Sequence, residues 1–313
     1  NGCSNPPQNV TVTVNPIPAL SSTLTPAAIC SGTAFSYTPT SATPGATFAW
    51  TRALVAGISQ AAGSGTGNVS EVLTNTTTAP VIVTYGFTTT ANGCSLVQSV
   101  LVTVNPIPVL NSTLTPPAIC SATTFNYAAT SATGGATFAW SRALVAGISQ
   151  GASSGTGNVS EALTNTTTAP IVVTYVYVTT ANGCTGAPQN VTVVVNPIPV
   201  LSSTLTPAAI CSGATFGYTP TSATVGATFA WSRALVAGIT EAASSGTGNV
   251  SEVLTNTTTA PIVVTYIYTT SANSCSSNQN VVVTVNPIPV LSSTLTPPAI
   301  CSATTFSYTP TSA

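Results

Sequence analysis

The stretch Val100-Leu101-Val102-Thr103-Val104-Asn105-Pro106-Ile107-Pro108 decides how the chain is organised. Its first half alternates valine with other residues, which predicts a half-buried β-strand, and its second half is a proline-rich joint. Each proline fixes φ and lacks a backbone N–H, so a β-ladder cannot continue through the joint. The same Asn-Pro-Ile-Pro sequence returns at residues 15–18, 196–199 and 286–289. The pattern predicts stiff joints between copies of one module.

The spacing of the tryptophans gives the length of that module. Trp50, Trp140 and Trp231 are separated by 90 and 91 residues (140 minus 50, 231 minus 140). A period of this length suits one complete small β-sandwich per repeat and is too long for one coil of a solenoid. We therefore interpret the chain as a window of a longer array. The predicted parts are the last strand of a preceding repeat, three complete repeats and the start of a further one, at residues 1–15, 16–104, 105–195, 196–285 and 286–313.

Within one repeat, the residue pattern predicts about seven strands and no helix. Phe48 and Trp50 alternate with small residues, as in a strand with one buried face. Asn92-Gly93 is the strongest short signal for a β-hairpin. We expect residues 20–25 to form a first strand and the Gly/Ser-rich residues 61–68 to form an irregular loop or edge. The predicted fold class is all-β, with tandem Ig-like sandwich domains arranged as a rod.

Composition excludes several classes of function. Hydrophobic residues make up 43% of the chain, enough for a core in each repeat, but charged residues make up only 2%, against roughly 25% in an ordinary globular protein. A net charge of −1 gives no electrostatic attraction to nucleic acid or anionic lipid. No apolar run reaches the roughly 20 residues of a membrane span. A surface this neutral lacks charge repulsion and favours side-by-side association of copies.

The inventory of reactive side chains argues against an enzyme. The sequence contains no His, Lys, Asp or Met. General acid–base catalysis needs a titratable group, and a nucleophilic serine needs a base to activate it. Metal binding would depend on cysteines at spacings unlike those of zinc sites. We therefore predict no catalytic residues, no metal site and no cofactor.

Five spaced motifs, in order along each repeat, support a family resemblance. In the first repeat they are Ile29-Cys30-Ser31-Gly32, Phe48-Ala49-Trp50, Gly65-Thr66-Gly67-Asn68, Ala91-Asn92-Gly93-Cys94 and Val102-Thr103-Val104-Asn105-Pro106. The pattern resembles the PKD-like, Ig-like repeats of large secreted surface proteins of Bacteroidetes. The resemblance implies a β-sandwich, type IX export, display at the outer surface, and roles in adhesion, gliding or filaments. PKD domains often carry an aspartate-rich turn, and this chain, without Asp, departs from that pattern.

Eight cysteines at two fixed places per repeat indicate disulfides and an oxidising, extracellular setting. They are Cys3, Cys30, Cys94, Cys120, Cys184, Cys211, Cys275 and Cys301. Three pairing schemes fit the spacing. The favoured one joins the two cysteines of each repeat, as in Cys30–Cys94. The second joins consecutive domains, as in Cys30–Cys184 and Cys120–Cys275, and the third joins sequence neighbours, as in Cys94–Cys120.

Each repeat also holds one arginine and one glutamate at a constant separation along the sequence (71 minus 52, 161 minus 142 and 252 minus 233 are equal). These residues are Arg52 and Glu71, Arg142 and Glu161, and Arg233 and Glu252. One interpretation is a recognition site displayed periodically, but we favour a structural ion pair, because arginine binds a carboxylate in a bidentate way. Trp50 and its copies are expected in the core, and the unmatched Glu241 in solvent. The sequons Asn75-Thr76-Thr77 and Asn68-Val69-Ser70 are interpreted as polar strand and turn residues.

These observations together predict a structural repeat region of an extracellular surface fibre or adhesin stalk, stiffened by proline-rich joints and disulfides. Its expected partners are copies of itself or adjacent repeats in a fibre. The alternative is an adhesive array whose repeats bind glycans or neighbouring cells by avidity.

Overall fold

The structure, a computed structural model, describes residues 2–312. The first complete domain contains seven strands in chain order. These are β1 (Ile29–Cys30), β2 (Thr33–Tyr37), β3 (Thr47–Arg52), β4 (Gly63–Thr66), β5 (Val69–Leu73), β6 (Val81–Ala91) and β7 (Cys94–Asn105). No helix occurs between residues 2 and 312.

The second and third domains repeat this order, with the last strand of the second domain divided into two strands. The second contains β8 (Ile119–Cys120), β9 (Thr123–Tyr127), β10 (Thr137–Arg142), β11 (Ser153–Thr156), β12 (Val159–Leu163), β13 (Ile171–Ala181), β14 (Cys184–Thr185) and β15 (Gln189–Asn196). The third contains β16 (Ile210–Cys211), β17 (Ala214–Tyr218), β18 (Thr228–Arg233), β19 (Ser244–Thr247), β20 (Val250–Leu254), β21 (Ile262–Ala272) and β22 (Cys275–Asn286).

Each domain is a sandwich of a large and a small sheet. In the first domain the large sheet has the order β1-β7-β6-β3-β4, and β2 pairs with β5 to form the small sheet. The pairs are antiparallel except that the short β1 runs parallel to the end of β7, with Cys30 opposite Asn105. The predicted all-β, Ig-like sandwich architecture is therefore confirmed, with three tandem domains.

Alternation along the strands builds the core of each domain. In β6, Val83, Tyr85 and Phe87 are fully buried, and they face the buried Phe35 of β2. The ring centroids of Phe35 and Tyr85 lie 5.2 Å apart, and those of Trp50 and Tyr85 lie 5.7 Å apart in an edge-on arrangement. Offset and edge-on ring pairs of this kind add to the free energy of hydrophobic burial. The tryptophans pack in or against the cores, as expected from sequence.

The Asn-Gly turn between β6 and β7 has the backbone that its sequence predicts. Asn92 and Gly93 have φ values of 50° and 78°. Positive φ at both central residues belongs to the turn type that matches the twist of a two-residue hairpin. The turn at Asn182-Gly183 has the same signs, and the third domain uses Asn273 and Ser274.

One local prediction was wrong. Residues 20–25 do not form a strand: the segment makes an isolated bridge between Leu20 and Ser41, and Leu24 O accepts a hydrogen bond from Leu101 N. The glycine-rich residues 61–68, predicted to be an irregular loop or edge, contain the edge strand β4 at Gly63–Thr66. Their glycines serve packing, because a Cβ on Gly65 would lie 2.8 Å from the ring of Trp50.

Candidate functional site at the domain junctions

Each junction between complete domains is crossed by a disulfide. Cys30 of the first domain is bonded to Cys184 of the second, with Cα atoms 5.6 Å apart. Cys120 of the second domain is bonded to Cys275 of the third, with Cα atoms 5.7 Å apart. Both separations lie in the ordinary range for disulfides.

This pairing follows from where the strands end. Cys30 lies beside Asn105, at the end of β7 that leads into the second domain. Cys184 immediately follows the Asn182-Gly183 turn, which is the end of the second domain nearest the first. The within-repeat scheme favoured from the sequence, with Cys30 joined to Cys94, is therefore not the arrangement found. Cys3, Cys94, Cys211 and Cys301 have no disulfide partner within residues 2–312.

A hydrogen bond accompanies each disulfide. Asn105 Nδ2 donates to Asn182 O at 2.9 Å, and Asn196 Nδ2 donates to Asn273 O at 3.0 Å. Asn15 Nδ2 donates in the same way to Asn92 O at 3.0 Å. The asparagine of each of these Asn-Pro-Ile-Pro joints therefore binds the backbone of the turn in the following domain.

The segment after each joint is also fixed to the domain that it enters. Leu110 N donates to Gln189 Oε1 at 2.7 Å, as Leu20 N does to Gln98 Oε1. Pro106 and Pro108 are buried at the first junction. Each junction is thus held by a covalent bond, by hydrogen bonds and by prolines that restrict φ.

The predicted arginine–glutamate pairs form a buried cluster inside each domain. Arg52 Nε donates to Glu71 Oε2 at 2.9 Å, and Tyr85 Oη donates to the same carboxylate oxygen at 2.6 Å. The Arg52 side chain is 1% exposed and that of Glu71 is 21% exposed. Arg52 Nη2 also donates to Ala61 O at 2.6 Å. The cluster joins the two sheets, because Glu71 belongs to β5 and its two partners to β3 and β6.

The other two domains reproduce the ion pair. The distance from Arg142 Nε to Glu161 Oε2 and that from Arg233 Nε to Glu252 Oε2 are both 3.0 Å. Since all three guanidinium groups are buried, none is displayed for recognition of a ligand. This geometry matches the structural interpretation given above.

The interpretation of Asn75 as a polar turn residue missed that Asn75, Asn165 and Asn256 are buried and hydrogen-bonded. Asn75 Nδ2 donates to Ala79 O and to Val104 O, both at 2.8 Å. Its Oδ1 accepts from Thr77 N and Thr77 Oγ1, also at 2.8 Å. The side chain therefore closes its own loop and ties that loop to β7. Its recurrence in an unchanged Asn-Thr-Thr-Thr-Ala-Pro sequence was the signal that could have identified it.

The burial of Asn75 also decides whether its sequon can carry a glycan in the folded protein. With both amide hydrogens donated inside the protein and 7% of the residue exposed, this side chain is closed to a glycan. Asn68, in the second sequon-like sequence of the repeat, is exposed.

Comparison with known families matches the three domains one by one. A profile described as PKD-like domain matches residues 27–108, 117–199 and 208–289. The chain belongs to the PKD-like domain family. Two solved structures of tandem domains are similar to it. The I67–I69 fragment of titin is 14% identical, with a TM-score of 0.43, and the match covers 88% of this chain and 100% of that one. Extracellular domains 3–5 of Drosophila OTK are 12% identical, with a TM-score of 0.32, and the match covers 84% of this chain and 94% of that one. A comparison with curated proteins found no match.

The part of the PKD-like domains that the structure describes brings together no cluster of potential metal ligands. No group of three or more acidic or cysteine side chains comes together among residues 2–312. The same residues include no helix that is long and apolar enough to cross a membrane. Glu241, expected in solvent, is half-buried and accepts a hydrogen bond from Thr255 N at 2.9 Å.

The stability of the PKD-like domains should be constant from about pH 5 to about pH 9.5 and fall on both sides. Burial alone would raise the pKa of Glu71, but hydrogen bonds from Arg52 and Tyr85 outweigh it and hold that pKa below its ordinary value. The pKa values of Glu161 and Glu252 are lowered as well. A lowered folded pKa adds stability above the unfolded pKa of about 4.3, and this stability is lost as pH falls through the folded value.

The alkaline limit comes from tyrosine. Burial, and then the hydrogen bond to Glu71, raise the pKa of Tyr85. A raised folded pKa adds stability below the unfolded pKa of about 10, and this stability is lost at higher pH. Thermal unfolding midpoints measured from pH 2 to pH 11 test both limits. A midpoint that changed steadily between pH 6 and pH 8 would contradict the prediction, since the sequence has no His.

Proposed function

We propose that the chain is a structural repeat region of an extracellular fibre or stalk, and that it works by carrying load. The observation that supports this most directly is the repeated junction. The two successive junctions use equivalent cysteine pairs, equivalent asparagines and the same joint sequence. Binding sites of different specificity would need different surfaces, whereas a fibre needs one joint repeated many times.

Several features support the extracellular part of this proposal. Disulfides persist in oxidising compartments and are rare in the cytosol. The resemblance to surface repeats of Bacteroidetes implies type IX export and outer-surface display, and both belong to this proposal. The division into repeats at residues 16–104, 105–195 and 196–285 belongs to it as well.

The dimensions of the strands suit a rod. β7 and β22 each contain 12 residues, which at about 3.3 Å per residue gives each domain a length of roughly 40 Å. Three complete domains joined end to end would span about 120 Å by the same strand geometry.

Copies of the same chain are the partners that the surface best supports. The outer face of the large sheet carries exposed aliphatic side chains, among them Ile82, Val172 and Val263, and no charged residue. Such a face can pack against another like it without charge repulsion. The alternative, a glycan-binding array, would need exposed aromatic side chains. Every aromatic side chain in the three complete domains is buried or half-buried, so no observation favours that alternative.

Electron microscopy of the purified, oxidised chain tests the proposal. We expect straight particles about 120 Å long that keep their shape under non-reducing conditions. Immunogold labelling of intact source cells should place the protein along surface fibres. Compact particles, or labelling confined to the cell interior, would contradict it.

A further inference from the structure

The two disulfides are interlaced along the sequence, and this order has a mechanical result. Cys120, where the second bond begins, lies between Cys30 and Cys184, the two ends of the first bond. Interlaced crosslinks create a covalent route through the molecule that alternates between disulfides and backbone. That route limits how far the molecule can lengthen, even when every domain has unfolded.

We propose that the interlaced disulfides act as an extension stop that limits the lengthening of the array under load. This inference rests on the load-carrying function proposed above and adds a specific property to it. Between Cys30 and Cys275 the backbone runs through about 245 residues (275 minus 30), which without crosslinks could extend to roughly 850 Å, at about 3.5 Å per residue.

The shortest covalent route between the same two residues is much shorter. It crosses from Cys30 to Cys184, returns along the backbone to Cys120, and crosses to Cys275. The backbone part of this route is about 64 residues (184 minus 120), or roughly 220 Å when fully extended. Unfolding all three domains can therefore release only about a quarter of the length that the uncrosslinked chain would release.

The ends of the route lie at opposite ends of the second domain. Cys120 lies opposite Asn196, at the far end of β15, because β8 pairs in parallel with the last residues of that strand. Cys184 lies at the turn that faces the first domain. The second domain therefore transmits force between the two bonds. Two other covalent routes join Cys30 to Cys275, one through most of the first domain and one through most of the third, and both are longer.

The maximum extension becomes smaller wherever further repeats continue the same disulfide pairing. A bond from Cys211 to the next equivalent turn would open a route along the backbone from Cys184 to Cys211. This segment of about 27 residues (211 minus 184) extends to roughly 95 Å. The two folded domains that it crosses measure about 80 Å from their strand lengths. In such an array the shortest covalent route is already almost straight in the folded state.

Single-molecule pulling from the two chain ends tests the extension stop. In oxidised protein, complete unfolding should extend the Cys30–Cys275 region to no more than about 64 residues of contour. Adding a reductant after the first stretch should release about 181 further residues (245 minus 64), roughly 630 Å. Each molecule is stretched before and after reduction and therefore serves as its own control. This measurement does not depend on the folding of any variant.

Variants that lack one bond distinguish interlaced pairing from the alternatives. For Cys120→Ser/Cys275→Ser the shortest route is about 91 residues (275 minus 184), only about 27 more than in the parent. For Cys30→Ser/Cys184→Ser it is about 90 residues (120 minus 30). With bonds inside each repeat, either variant would instead break two bonds and release about 128 residues of contour (94 minus 30, twice).

The outcomes separate this inference from the proposed function. The extension stop is overturned if either variant releases about 128 residues of contour, as bonds inside each repeat would allow. It is also overturned if the oxidised chain lengthens as far as the reduced one. Compact particles in the microscope would overturn the fibre and leave the pulling result intact.

Discussion

Changing Glu71, Glu161 and Glu252 together to Gln should lower the free energy of unfolding of each domain by about 3 kcal/mol. The change keeps the shape of the side chain and removes its charge. The guanidinium group of the partner arginine, which is at most 1% exposed, therefore loses its counter-charge. Tyr85 and its copies lose a charged acceptor at the same time. Removing one partner of a buried ion pair leaves an uncompensated buried charge. This costs much more free energy than replacing both partners with apolar residues.

Urea unfolding followed by tryptophan fluorescence measures this effect, because each domain contains one tryptophan next to the cluster. For domains of about 90 residues, the thermal midpoint should fall by roughly 12–24 °C. The matched control is Glu241→Gln. At the equivalent positions Gln60 and Gln150 already accept the same backbone hydrogen bond at 2.9 Å, so this variant should unfold like the parent. A triple variant as stable as the control would show that the buried charge is not essential.

Changing Asn75, Asn165 and Asn256 together to Ala should cost a similar amount, roughly 3 kcal/mol per domain. In the first domain the change removes the side-chain donor to Val104 O and the acceptor of Thr77 N, while Ala79 O keeps its hydrogen bond from Thr77 Oγ1. A buried polar group that loses its only partner keeps its full desolvation penalty. Urea unfolding again provides the measurement.

The control for the asparagine variant is Asn68→Ala/Asn249→Ala, which removes the same side chain at exposed positions of the first and third domains. This variant should change stability by less than about 0.5 kcal/mol. If both asparagine variants had equal stability, the loop would not depend on its side-chain bonds. Loss of the bond to Val104 O should also increase hydrogen exchange in the loop after β5.

The fold could be predicted because local signals in this sequence agree with one another. The alternation around Trp50, the Asn92-Gly93 turn and the Asn-Pro-Ile-Pro joint each determine a local geometry without reference to distant residues. Gly65 left two alternatives open in the sequence, since glycine in a strand can mark either a flexible loop or a close packing contact. Only the position of the Trp50 ring distinguishes the two.

The junctions were harder to predict than the domains. Cys94 and Cys184 stand at equally regular positions relative to Cys30, because the repeat places one such cysteine in every copy. The choice between them depends on which ends of neighbouring domains meet, and the residues themselves do not encode that directly. Arg52 and Glu71 were easier, because two opposite charges in so neutral a chain have few other partners.

The burial of the three arginines has a practical consequence for detecting this protein. Trypsin cleaves after Lys and Arg, and the sequence offers it only Arg52, Arg142 and Arg233, each inside a folded core. The native protein should therefore resist digestion. Even after unfolding, cleavage at these three sites releases internal peptides of 90 and 91 residues (142 minus 52, 233 minus 142), which are too long for routine peptide mass spectrometry. A chymotrypsin or elastase digest would reveal material that a standard tryptic survey overlooks.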